Sequence, residues 1–179
     1  MVALSVPTFW FGLVMIYVFS IWLAWLPSGN MYSNGVQSVG DYARHLVLPC
    51  LVLTLVTVAT WSRYMRASML DVVGQDYIRT ARAKGLRPRA VLVHHALRNA
   101  LLPMITVAGL HVPTLLGGAL VTETVFTWPG MGRLFLDSIS YRDYPVVMGI
   151  LMFTACLVLI GSLVADLLYG IADPRIRLA

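Results

Sequence analysis

The chain is predicted to be all-α, a polytopic transmembrane helical bundle, and three observations carry that expectation. Of 179 residues, 59% are hydrophobic and only 12% charged, about half the charged fraction of a water-soluble domain, with a mean hydropathy of +0.78. Uncharged apolar runs recur at 6–27, 46–62, 100–122 and 144–165, each close to the roughly 20 residues a helix needs to cross a bilayer. Eight of the 13 Lys and Arg residues are gathered in one connection, 63–99. Helices are the economical way to span, because each unpaired backbone group in lipid costs several kcal/mol. Residues 1–179 are therefore expected to form one transmembrane domain with four spans.

The elements follow in chain order. The first run opens a stretch, 1–27, that carries no charge at all; it is too long for a signal peptide and lacks the basic start of one. Residues 28–44 are polar and turn-rich, with Pro27-Ser28-Gly29-Asn30 and Ser33-Asn34-Gly35. The second run is the shortest. It can extend back through His45 and forward past Ser62 if Arg63 snorkels to the interface.

Within 63–99 two short helices are legible. The first, 71–84, places Val72, Val73, Tyr77, Ile78, Ala81 and Ala83 at roughly helical spacing and stops at Gly85, a natural left-handed C-terminal cap. Pro88 suits the first turn of the second, running through 90–100, with Val91, Leu92, Ala96 and Leu97 opposite a polar edge. The third run contains His111 and Pro113, and the connection 123–143 holds the turn Trp128-Pro129-Gly130-Met131-Gly132.

Charge orients these elements. The 63–99 connection and the tail (Arg175, Arg177) hold ten basic residues, and the other two connections hold three. Positive residues stay on the cytoplasmic side, so both termini and the 63–99 loop are expected inside, with 28–44 and 123–143 outside. The same concentration argues against nucleic acid as the partner, despite a net charge of +5; in a membrane protein such a loop is the ordinary signature of cytoplasmic retention.

The segment Arg79-Thr80-Ala81-Arg82-Ala83-Lys84-Gly85-Leu86, followed by His95-Ala96-Leu97-Arg98-Asn99-Ala100-Leu101-Leu102-Pro103, resembles the EAA loop of ABC importer permeases. More narrowly it is similar to the dipeptide/oligopeptide/nickel branch of binding-protein-dependent transporters. Further stretches agree with that branch: Ser5-Val6-Pro7-Thr8-Phe9-Trp10, Trp25-Leu26-Pro27-Ser28-Gly29, Glu123 through Gly130, Arg142-Asp143-Tyr144-Pro145 and Asp173-Pro174-Arg175. Where the wider superfamily carries Glu-Ala-Ala, this chain has Arg79-Thr80-Ala81, and where it carries Leu-Pro, this chain has Leu97-Arg98; both suit the peptide branch.

The resemblance implies a translocation subunit in the inner membrane of a prokaryote. It would couple through Arg79, Thr80, Ala81, Ala83, Lys84, Gly85 and Leu86 to a cytoplasmic ATPase, with Gly85 bending the backbone where a Cβ would obstruct it. The implied partners are a second homologous permease, two ABC ATPase subunits and an extracytoplasmic solute-binding protein. Relatives of this branch have six helices, so the first two are expected to be missing from this chain.

The remaining candidates are single residues. His111 sits at mid-span, where an ionisable group is a functional candidate by default; it could line a translocation pathway with Pro113, or be a neutral histidine bonded between helices. Pro113 with Gly117 and Gly118 could form a hinge or a close-packing surface. His94 and His95 lack metal-ligand spacing, and Cys50 and Cys156 are expected to be small buried apolar side chains. Glu123 and Trp128 could touch a delivering protein or anchor the membrane interface. No Gly-rich Lys-Ser/Thr phosphate loop, nucleophile elbow or metal-ligand cluster occurs in the sequence, so no cofactor is implied and ATP hydrolysis is expected on a partner. The competing readings are a self-contained channel or assembly protein, whose loop would need charge but no glycine corner, and a truncated, non-functional permease.

Overall fold

The computed structural model describes residues 6–35 and 38–172. Ser5 and the tail motif at 173–177 lie outside the described residues. Among those described, helix is the only regular structure.

Helix α1 (Thr8–Trp22) follows Pro7, whose fixed φ of −57° suits a helix start, with the Phe11 N–H donating to the Pro7 carbonyl at 3.0 Å. Nine α-helical residues pass into six π-helical ones. The helix then ends before Ala24, which has φ 51°, while the Trp25 and Leu26 N–H groups turn back onto the Phe19 carbonyl. At about 1.5 Å per residue α1 is roughly 20 Å long, shorter than the expected 6–27 run and than a hydrocarbon core of about 30 Å.

Helix α2 (Val39–Val73) has 35 residues with Pro49 inside it. The Ser38 hydroxyl caps it by accepting from the Asp41 N–H at 3.1 Å, and the Asp41 carboxylate accepts from both the N–H and the hydroxyl of Ser33. The helix does not stop near Ser62. It continues eleven residues further, because 63–73 contains neither Gly nor Pro and nothing interrupts the carbonyl ladder until Gly74. The first loop helix consequently begins at Asp76 rather than at Asp71.

Helix α3 (Asp76–Ala83), helix α4 (88–100, with a π-helical stretch Val91–Leu97), α5 (Leu102–Leu116), α6 (Leu120–Val125), α7 (Met131–Ser140) and α8 (Tyr144–Ala172) complete the chain. Three stretches are long and apolar enough to cross a membrane: Val39–Val73, Leu102–Val125 and Tyr144–Ile171. The middle one is broken. Its helix halts at Leu116, passes through Gly118 at φ +122° and resumes at Leu120. α8 runs seven residues past the expected 165 and leaves large apolar side chains such as Leu151, Phe153, Leu159 and Leu163 exposed, as a helix in lipid does.

The chain divides into two compact units, Met1–Ala59 with Thr114–Leu157, and Thr60–Pro113 with Val158–Ala179. In the first, Met15, Leu48, Val52 and Phe126 form the core, with Phe11, Phe19 and Leu26 packed against it. A Cβ on Gly12 would press on Val125 and Phe126, and the Phe126 carbonyl accepts from the Asn30 N–H at 2.9 Å.

In the second unit α5 and α8 approach closely. A Cβ on Gly161 would strike the Pro113 ring and the Gly109 carbonyl, and one on Gly109 would strike Ala165. Small residues permit this backbone approach, the usual means of joining helices in lipid. Of the two readings of Pro113, this geometry supplies a close-packing surface. Cys50 and Cys156 are both free and exposed on the surface of the chain. The expectation that they are buried is corrected: a thiol in an apolar run is as well suited to a lipid-facing position as to a protein interior.

Candidate functional site: a hairpin around Gly85

The segment between Gly74 and Leu101 forms a helix, a glycine corner and a second helix, as the residues alone led one to expect. Three of the four apolar positions at its centre are at or near full burial: Ile78 at 0%, Ala96 at 1% and Val91 at 3%, with Ala81 close behind. Met69, Val72 and Val73 from the end of α2 pack against them. The hairpin thus has a small apolar core of its own, continuous with the end of a long helix.

Polar bonds fix its frame. The Asn99 amide donates to the Tyr77 hydroxyl at 2.9 Å, joining the two helices, and the Ser68 hydroxyl donates to the Ala100 carbonyl at 2.9 Å. Within α3 the Thr80 hydroxyl donates to the Asp76 carbonyl at 3.0 Å, while Arg79 and Asp76 form an exposed ion pair at 3.6 Å. Pairs of that kind contribute about 0–1 kcal/mol, so the apolar core and not the ion pair holds α3.

The corner is made by Gly85 at φ +76°. The Gly85 N–H donates to the Arg82 carbonyl at 2.9 Å and the Lys84 N–H to the Thr80 carbonyl at 3.0 Å, half of the closure that commonly ends helices on a left-handed residue. A Cβ built on Gly85 would meet nothing within 4 Å. The expected obstruction is therefore absent within this chain, and the requirement for glycine is conformational. Arg87 then adopts an extended backbone before Pro88 (φ −57°, ψ 137°), and Pro88 starts α4.

Of the residues expected to form a coupling surface, Arg79, Thr80, Ala83, Lys84, Gly85 and Leu86 are exposed. Ala81 is not; it faces the hairpin core with Ile78. On the other side of the corner a groove of about 600 Å³ is lined by Val73, Ile78, Leu86, Val91 and Leu92 and edged by Arg82 and Arg89. Sequence reasoning placed Ile78 among the apolar positions but gave it no special weight. Its complete burial follows from being the one large apolar side chain in α3 that the closing hairpin covers.

His111 and Pro113 lie apart from this hairpin in sequence, on α5. The His111 ring meets Trp61 edge-on, with centroids 6.1 Å apart, and Pro113 is buried. No group of three or more His, Cys, Asp or Glu residues able to hold a metal ion occurs among the described residues.

A second organised feature surrounds Glu123. Glu123 is 9% exposed, and its carboxylate accepts from the Ala119 N–H and the Arg133 N–H, both at 2.8 Å. It fills the space beside Gly130 that a Cβ would occupy, and the Gly118 backbone lies against that of Gly132. The Trp128 N–H donates to the Glu123 carbonyl at 2.8 Å. The Glu123 side chain thus points inward and shapes the turn that carries Trp128.

Comparison of the sequence with known proteins points to one family. The family model for the binding-protein-dependent transport system inner membrane component matches residues 1–178. The chain is 51% identical, over 98% of its length and 56% of the relative's, to the oligopeptide transport system permease protein AppB of Bacillus subtilis. It is 47% identical to the di/tripeptide transport system permease protein DppB of Pseudomonas aeruginosa, over 97% of its length and 57% of the relative's. It is 42% identical to the dipeptide transport system permease protein DppB of Escherichia coli, over 97% and 58% respectively. The chain thus spans a little over half the length of these curated relatives. With a broken middle span, three span-length helices and a family match over nearly its whole length, the chain belongs to the binding-protein-dependent transport system inner membrane components, multi-pass proteins of the bacterial inner membrane.

Proposed function

We propose that this chain is the translocation part of an ATP-driven importer for peptides or related solutes, and that the hairpin around Gly85 receives the stroke of a cytoplasmic ATPase. The observation that carries the reading is the construction of the hairpin. It has its own buried core and a tyrosine–asparagine bond, so it can move as a body, yet it leaves Arg79, Thr80, Ala83, Lys84 and Leu86 exposed for another surface to grip. Relatives named for oligopeptide, dipeptide and tripeptide transport support the solute class.

In this reading a second permease subunit, two ATPases and a solute-binding protein complete the machine. ATP-driven closure of the ATPase pair displaces the hairpin, and the continuous path from α4 into α5 transmits the movement to the helices. Both chain termini and the hairpin lie on the cytoplasmic side, following the ten-to-three division of basic residues. His111, set against Trp61 on α5, is the residue we assign to the pathway, and Pro113 acts there by shaping the helix that carries it.

The test uses the full chain co-expressed with its transport partners. Gly85→Val places a β-branched residue at positive φ, which costs about 1–2 kcal/mol and re-aims α4. Membrane insertion should be unchanged, whereas recovery of the ATPase with the tagged permease and solute-stimulated hydrolysis in liposomes should fall. Gly85→Asn, which tolerates the left-handed region, should retain both. Wild-type recovery and stimulation in Gly85→Val would remove the hairpin from the coupling role.

A further inference from the structure

Tyr and Trp are distributed unevenly across the topology. The start of α2 meets the turn after α6 in the first unit, where the Tyr42 ring lies against Trp128. The turns and helix ends of that unit carry Trp22, Trp25, Tyr32, Tyr42, Trp128 and Tyr141. The connection 74–101 carries Tyr77 as its one Tyr or Trp, and six of the basic residues.

The aromatic group is ordered. Tyr42, in the first turn of α2, stacks between Tyr32 and Trp128 at centroid distances of 5.6 and 5.5 Å. Trp25 leans on Phe19 at 6.1 Å, and the Asn30–Phe126 backbone bond ties the connection after α1 to the turn after α6. Trp22, Trp25 and Tyr141 are nevertheless 73%, 67% and 85% exposed. A water-facing turn gains nothing from three such side chains. The headgroup boundary of a bilayer does favour them, because it accepts the ring on one side and the N–H or O–H on the other.

We propose that the first unit carries an aromatic belt, with Trp22, Trp25 and Tyr141 seated at the lipid headgroup–acyl boundary of the outer leaflet and Glu123 holding Trp128 in the same layer. The partner is the lipid surface itself. The belt fixes the depth of the first unit in the bilayer. This inference uses the membrane placement of the family and does not depend on transport activity.

Depth-resolved quenching tests it. The full chain would be placed in phosphatidylcholine nanodiscs with Trp25 as its sole tryptophan, the others replaced by Phe, using lipids brominated either near the carbonyl end or near the terminal methyl of the acyl chain. Trp10, twelve residues before the end of α1 at Trp22 and so about 18 Å deeper than that end, is the reference in a parallel variant. Trp25 should lose more emission with carbonyl-end bromines and Trp10 with methyl-end bromines. If the multiply substituted chain fails to insert, the difference in quenching between wild type and Trp25→Phe gives the same reading. Emission from Trp25 that is indifferent to both lipids would mean that it faces water or a docked protein, and stronger quenching by methyl-end bromines would place it in the hydrocarbon; either result overturns the belt.

Discussion

Removing the Glu123 carboxylate should loosen the turn after α6 more than any other single polar deletion in that unit. Glu123→Ala deletes two acceptors at once and leaves the Ala119 and Arg133 N–H groups without them. Hydrogen bonds to a charged group contribute about 1.5–3 kcal/mol each. The upper sum is reduced because water can enter the vacated space, so a loss of about 2–4 kcal/mol is expected, on the order of 5–10 °C in melting temperature. Glu123→Gln keeps one carbonyl acceptor but turns an NH₂ toward the other N–H, and should fall between. The assay is thermal unfolding of the detergent-solubilised chain by circular dichroism, together with protease cleavage near Trp128.

A double-mutant cycle makes the reasoning refutable. Gly130→Ala alone thrusts a methyl group into the Glu123 carboxylate, and should cost about 1–3 kcal/mol as an overpacked site. In the Glu123→Ala background that collision is gone, so the second substitution should cost less, giving a clear coupling term. Additive effects, or a Glu123→Ala protein that melts like wild type, would show that the carboxylate does not hold the turn.

Two further outcomes follow from packing, beside those already set for Gly85 and Trp25. Ile78→Ala empties the centre of the hairpin core and should cost about 2–4 kcal/mol locally, read as early protease cleavage between 76 and 90 while the apolar helices keep their circular dichroism. Gly161→Leu drives a side chain against the Pro113 ring and the Gly109 carbonyl; it should separate α5 from α8 and lower the melting temperature, whereas Gly149→Leu, on the same helix with nothing within 4 Å of its Cβ, should be neutral.

Much of this molecule is determined locally, and local features are legible in a sequence. Lipid can satisfy no backbone group, so a long uncharged run in a membrane becomes helix, and α2 and α8 were visible from hydropathy alone. The corner at Gly85 was equally visible, because a glycine after a helical pattern and a proline three residues later have one economical backbone path. What hydropathy misjudged was where helices end. Arg63 through Val73 looked like the start of a loop by charge, but charge does not terminate a helix; Gly74 does.

Only the tertiary structure decided the rest. That Ala81 faces inward while Arg79 and Lys84 face outward depends on how α4 folds back over α3. The inward turn of Glu123 depends on Gly130 and Gly132, which leave room for a carboxylate only once α7 has come back against α6. The break at Gly118 needs the Gly132 backbone beside it. Periodicity fixes which residues share a face of one helix, but it cannot say which face a second helix will cover, because that contact is made between segments distant in the chain and is chosen by the shapes that meet there.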